Sequence, residues 1–69
     1  MDEYSLLKDD QRAAVDQAVD MVVCNGSRQT VAVSDGGEAY AYPHPAGGVS
    51  WGVNSGETGH CIARGVVRV

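Results

Sequence analysis

Apolar positions recur at the helical period over one stretch of the chain, Asp9 to Val23 (DDQRAAVDQAVDMVV). Ala14, Val15, Ala18, Val19, Met21 and Val22 fall on one side of a helix with about 3.6 residues per turn. Asp9, Asp16 and Asp20 fall on the opposite side, with Ala13 among them. The spacing therefore predicts a helix with a narrow apolar stripe and an acidic outer face. Asp9 is the expected cap, because Asp9, Asp10 and Gln11 suit the positive end of a helix. Ser5 is the other candidate, and would bring Leu7 into the stripe. Asn25-Gly26 supplies the stop, with Gly26 free to take the left-handed cap conformation. Ahead of the helix, Tyr4, Leu6 and Leu7 are expected to fold back onto the domain.

Beyond Gly26 the pattern changes to short alternating runs broken by turn residues. Arg28 to Ser34 predicts a first strand and Glu38 to Tyr42 a second, joined at Asp35-Gly36-Gly37. A two-residue turn at either Asp35-Gly36 or Gly36-Gly37 puts Val31 and Val33 on the face of Tyr40 and Tyr42. The opposite face then carries Thr30, Ala32, Ala39 and Ala41. Two prolines and a glycine pair make Pro43 to Gly48 a loop. Val49-Ser50-Trp51-Gly52-Val53 alternates as a third strand. Asn54 to Gly59 is a second loop, and His60 to Val69 a long last strand, bent at Gly65. One face of it has Cys61, Ala63, Gly65, Val67 and Val69. The other has Ile62, Arg64, Val66 and Arg68.

The expected fold is α+β: one N-terminal helix packed on a four-stranded antiparallel meander sheet, as one small domain over residues 1–69. One sheet face stays uncovered. The bulky valine–tyrosine face is the first expectation for the core, and the small alanine face its rival. Composition agrees with a sheet: eleven valines stand against two leucines, one isoleucine and no phenylalanine. Valine favours pleated, half-buried surfaces.

The net charge of −4 lies wholly in the first third of the chain. Six acids and two bases precede Ser27, whereas three of each follow. Direct binding to nucleic acid or to an anionic membrane is disfavoured, since both need a basic footprint. A basic protein partner is favoured. No signal pattern opens the chain and no apolar run approaches membrane-spanning length, so a cytoplasmic location with reduced thiols is expected.

Specific chemistry finds little support. Cys24, His44, His60 and Cys61 are scattered, without the close ligand pairs of a zinc site. A thiol nucleophile needs a base; Cys61 with His44 or His60 is the candidate for a small enzyme or metal-binding accessory domain. Against it, Cys61 shares a predicted face with Ala63 and Val67 and reads as core. A Cys24–Cys61 disulfide stays open. Gly47-Gly48 and Ser55-Gly56-Glu57-Thr58-Gly59 lack P-loop spacing and its lysine, and read as turns shaped by Ser55 and Thr58.

The favoured reading is a non-catalytic interaction or inhibitor protein without cofactor or metal. Its contact residues would be Asp9, Asp16 and Asp20 on the helix and Tyr40, Tyr42 and Trp51 on the sheet. In size, acidity and lack of catalytic motifs the chain is similar in character to the small inhibitors that bacteriophages make against host machinery, anti-CRISPR proteins among them. That resemblance implies a basic, nucleic-acid-handling host complex as partner, whose groove carboxylates would occupy in place of phosphates. Homo-oligomerisation through a sheet edge is a further possibility.

Overall fold

The computed structural model describes residues 3–34 and 36–68. A short 3-10 turn, Glu3–Leu6, leads into helix α1, Asp9–Asn25. Four strands follow: β1 (Gln29–Ala32), β2 (Glu38–Pro43), β3 (Val49–Asn54) and β4 (Cys61–Val67). They form one antiparallel sheet in the order β1-β2-β3-β4, and α1 covers one face of it. The α+β fold expected from the pattern is the fold observed.

The cap lies one residue earlier than expected, and Asp9 is the first helical residue. Lys8 is the N-cap, and its backbone N–H donates to Gln11 Oε1 at 2.8 Å. Gln11 thus reaches back from the first turn and satisfies a backbone donor just before the helix. Asp9 and Asp10 occupy the first turn, where the helix dipole favours acids. Asp9 pairs there with Arg12. Ser5 belongs to the 3-10 turn and caps nothing. At the far end Gly26 sits at φ 73°, and its N–H donates to Val22 O at 2.7 Å, as the Asn25-Gly26 stop predicts.

Ala14, Val15, Ala18 and Val22 are buried against the sheet, Val19 and Met21 are half-buried, and Asp9, Asp16 and Asp20 face out. Across from them lie Ala39 and Ala41 of β2, both fully buried. Small side chains on both layers let helix and strand approach closely, and β2 is the strand that α1 touches most.

Of the small face expected as the rival, Ala39 and Ala41 meet the helix but Thr30 and Ala32 do not; Val31 and Val33 lie there in their place. The register explains why. Val31 pairs with Ala39, Thr30 with Tyr40 and Ala32 with Glu38. Val33 N–H donates to Gly37 O at 2.9 Å and Gly36 N–H to Val33 O at 3.0 Å. Three residues, 34–36, thus make the connection, with Gly36 at φ 93°; Asp35 lies outside the described residues. Both two-residue turns considered from sequence place the valines beside the tyrosines. One more loop residue turns them onto the alanine side.

β3 places Val49, Trp51 and Val53 together on the helix side, as its alternation predicts. In β4, however, the irregularity lies at Ile62 and not at Gly65. Val53 pairs with Ala63 but Asn54 with Cys61, so one extra residue of β4 is accommodated there. The step moves Cys61 out of the core set expected for it, and Cys61 is exposed. Cys24 is also a free, exposed thiol.

The lead-in folds back in part. Leu7 is buried, but Leu6 is 71% exposed. The Tyr4 and Trp51 rings pack in a T shape, with centroids 5.9 Å apart and planes at 79°. Its hydroxyl donates to the Asp16 carboxylate at 2.9 and 3.0 Å. Trp51 also lies against its cross-strand partner Gly65, where an added Cβ would sit 2.8 Å from Trp51 Cζ2. Gly65→Ala should consequently lower stability by about 1–3 kcal/mol, since the ring has no slack to move into. A fall in the thermal midpoint, with helix content unchanged by far-UV circular dichroism, would verify this.

The β1 end is tied to the start of α1 by Ser34, whose hydroxyl donates to Asp10 Oδ2 at 2.6 Å. That bond, ahead of the Gln11 N–H, holds the Asp10 carboxyl below its ordinary value of 3.8. A depressed carboxyl stabilises the fold above its unfolded value and loses that contribution as pH falls through the folded one. Ser34→Ala should therefore raise the Asp10 midpoint towards 3.8 and shrink the loss of stability below that pH. Carboxyl carbon shifts followed by NMR titration measure the midpoint directly.

Candidate functional site

The face of the sheet turned away from α1 is uncovered. The register assigns it Thr30 and Ala32 from β1, Glu38, Tyr40 and Tyr42 from β2, Ser50, Gly52 and Asn54 from β3, and Arg64 and Val66 from β4. The bulge adds Cys61, opposite Asn54.

Tyr40 and Tyr42 organise this face. Two residues apart on one strand, they point the same way, and their rings stack in parallel at 6.2 Å and 7°. Tyr40 lies across its cross-strand partner Gly52. A Cβ at Gly52 would fall 2.3 Å from both Tyr40 Cζ and Oη. The bare glycine is thus the bed of the ring, and the ring in turn covers β3, leaving Ser50 and Gly52 buried on the otherwise open side. The Tyr40 hydroxyl reaches to 4.0 Å from Cys61 Sγ. Burial raises the Tyr40 phenol above its ordinary value; Cys61 adds to the shift and Arg28 opposes it.

Arg28 completes the cluster. Its guanidinium carbon stands 5.1 Å from the Tyr40 ring centre and 6.0 Å from that of Tyr42. Such cation–π contacts contribute about 0.5–1 kcal/mol each at exposed sites and restrain the arginine above the rings. A shallow groove of about 300 Å³ runs between the rings and β4; Tyr40, Tyr42, Ser50, Arg64 and Val66 line it, together with Trp51 and Gly65. Glu38 lies at the opposite end of β2, with Asn54 Nδ2 within 3.5 Å of its Oε1.

The six contact residues anticipated from sequence separate into three places. Tyr40 and Tyr42 are together on the open face. Trp51 is 3% exposed on the helix side and belongs to the core, so it does not join them. Its position within the strand decides this: the odd-numbered residues of β3 pack under α1. Asp9, Asp16 and Asp20 form one exposed stripe on the opposite layer of the molecule. Their repulsion is tempered by Arg12 beside Asp9 and by Tyr4 on Asp16.

The histidine–cysteine pairing fares differently. His44 follows Pro43, which pairs with Val49 at one end of β3, whereas Cys61 pairs with Asn54 at the other. The length of β3 between them is roughly 16 Å at 3.3 Å per residue, too far for proton transfer. His44 Nδ1 accepts the Ala46 N–H at 3.1 Å within its own loop. Cys61 Sγ donates to Ala63 O at 3.4 Å. Among the described residues no three His, Cys, Asp or Glu side chains gather as metal ligands do. In the β3–β4 loop, Ser55 Oγ accepts from the N–H of Glu57 and of Thr58, and Thr58 Oγ1 from that of His60. These are the local turn bonds expected of that run.

Arg28 and Gly52 are the participants that sequence reasoning missed. Each has a signal once the register is known. Continuing the β1–β2 pairing sets Arg28 opposite Tyr42, and Gly52 is the direct partner of Tyr40.

Comparison with known proteins gives no match to any family model, any curated protein or any solved structure. No helix among the described residues is long and apolar enough to cross a membrane.

Gly52→Ala tests the bed under Tyr40. The new methyl should lift the ring and pull Arg28 off the tyrosine pair while the helix side stays packed. Loss of ring-current shifts on the Arg28 side-chain protons, with the Trp51 indole signal unmoved, is the expected NMR result.

Proposed function

We propose that this chain is a small non-catalytic interaction protein that binds a basic, nucleic-acid-handling protein and blocks it by occupation. In character it is a phage-type inhibitor of the anti-CRISPR kind. The observation that carries the reading is the segregation of charge between two uncovered surfaces. Asp9, Asp16 and Asp20 stand in one outward stripe on α1, while Arg28 and Arg64 belong to the far side of the sheet. A helix anchored by close alanine packing presents such a stripe rigidly, so its carboxylates can substitute for a run of phosphates in a basic groove. A cytoplasmic setting belongs to this proposal.

The test is capture from host lysate on the immobilised protein, eluted over a salt gradient. A basic partner released as salt rises is the expected outcome. Asp16→Lys with Asp20→Lys should weaken capture at least about tenfold and flatten its salt dependence. Undiminished capture by that variant would sink the assignment of the surface.

A second reading, self-association through the sheet edge, has its own observation. β4 is an outer strand, and Ile62, Val66 and Val67 on it are 49%, 48% and 37% exposed. Edge strands with apolar side chains pair readily with another chain. Sedimentation velocity across a concentration series distinguishes the two: a species that stays monomeric excludes it.

A further inference from the structure

The interaction reading above leaves the open sheet face without a partner, and the chemistry of that face names one. We propose that it docks an acidic, extended segment of a protein, whose carboxylates are held by Arg28 and Arg64 on either side of the Tyr40–Tyr42 pair. This rests on the chain being an interaction protein and adds the class of ligand that its second surface takes.

Charge is the first argument. The chain carries −4 overall, yet among the described residues this face sets two arginines, Arg28 over the rings and Arg64 in the row of Tyr40 and Gly52, against the single acid Glu38. Glu38 occupies the next row on the other side of Tyr40 from Tyr42, with Asn54 Nδ2 within 3.5 Å of its Oε1. A local cationic patch on an acidic protein selects an anionic ligand.

The second argument is the state of Arg28. A guanidinium held above aromatic rings has already lost much of its rotamer freedom, and it keeps N–H donors for a bidentate carboxylate. Little further entropy is lost when a carboxylate arrives.

The third argument separates a peptide from a nucleic acid. Base stacking needs a free ring face, but Gly52 lies beneath Tyr40 and Arg28 above it. Stacking would require Arg28 to leave its place over the ring. The groove beside the rings, with Ser50 and Val66 in its lining, instead accommodates a small side chain next to a carboxylate.

The experiment is a 15N NMR titration of the intact protein with a short, end-blocked peptide of alternating glutamate and alanine. A glutamine–alanine peptide and an oligothymidylate are run beside it. Shifts on Thr30, Tyr40, Tyr42, Ser50 and Arg64 amides, seen with the glutamate peptide alone, are expected. Arg28→Glu and Arg64→Glu should each weaken them about tenfold, and Asp16→Asn with Asp20→Asn should not. Unchanged amide shifts around Ala18 and Val53 establish that the variants fold. The proposal fails if these amides do not move or if the Arg→Glu variants bind equally. It fails too if oligothymidylate binds more tightly there, or if the shifts follow protein concentration without peptide, which would make a second copy the occupant. Because capture of the basic partner is read with helix variants, a silent titration removes this inference and leaves the proposed function standing.

Discussion

The closed pair formed by Val33 and Gly37 decides which residues of β1 join Ala39 and Ala41 beneath the helix. It fixes an odd connection between β1 and β2, and the side-chain period of two converts that parity into a choice of face. Had the loop been even, Val31 and Val33 would have lain with the tyrosines. Thr30 and Ala32 would then have joined Ala39 and Ala41 in place of the two valines. The place of Val33 in the core, with Val31 packed against it, is therefore a result of that hydrogen-bonded closure.

Two aromatic–glycine pairs, one on each side of the sheet, follow from that arrangement. Trp51 over Gly65 serves the core, and Tyr40 over Gly52 serves the open surface. Both rings lie across the neighbouring strand and replace the side chain that the glycine lacks. A sheet this small gains covered area in this way without larger residues at every position. The same device also gives the tyrosine surface a defined geometry, since the ring has a bed and Arg28 restrains it from above.

Element types were legible from periodicity alone. The stripe from Ala14 to Val22, the Gly26 stop and the alternation around Trp51 each lie where the pattern puts them, because burial on one face dictates all three. What the pattern could not convey was parity. Asp35-Gly36-Gly37 marks a turn equally well with two residues or three, and the face of every residue in β1 depends on which. The bulge at Ile62 did the same for Cys61: one inserted residue moved it from an expected core position to the open face. Trp51 was grouped with the tyrosines as an aromatic, although its place in β3 puts it on the other side. Arg28 looked like an unremarkable strand start because its role exists only across the register. Exposure of the acidic stripe was readable; the hold of Tyr4 on Asp16 spans twelve positions and was not.

That hold links surface to core. Tyr4 donates to Asp16 with its hydroxyl and packs on Trp51 with its ring, so one side chain spans the acidic helix face and the largest residue of the interior. A cation arriving at Asp16 competes with the phenol for the same oxygens. Once released, Tyr4 has less reason to stay against the indole, and the first turn of the chain is freed to rearrange. The protein has a single tryptophan. Its emission therefore reads out occupancy of a surface that the indole itself never touches.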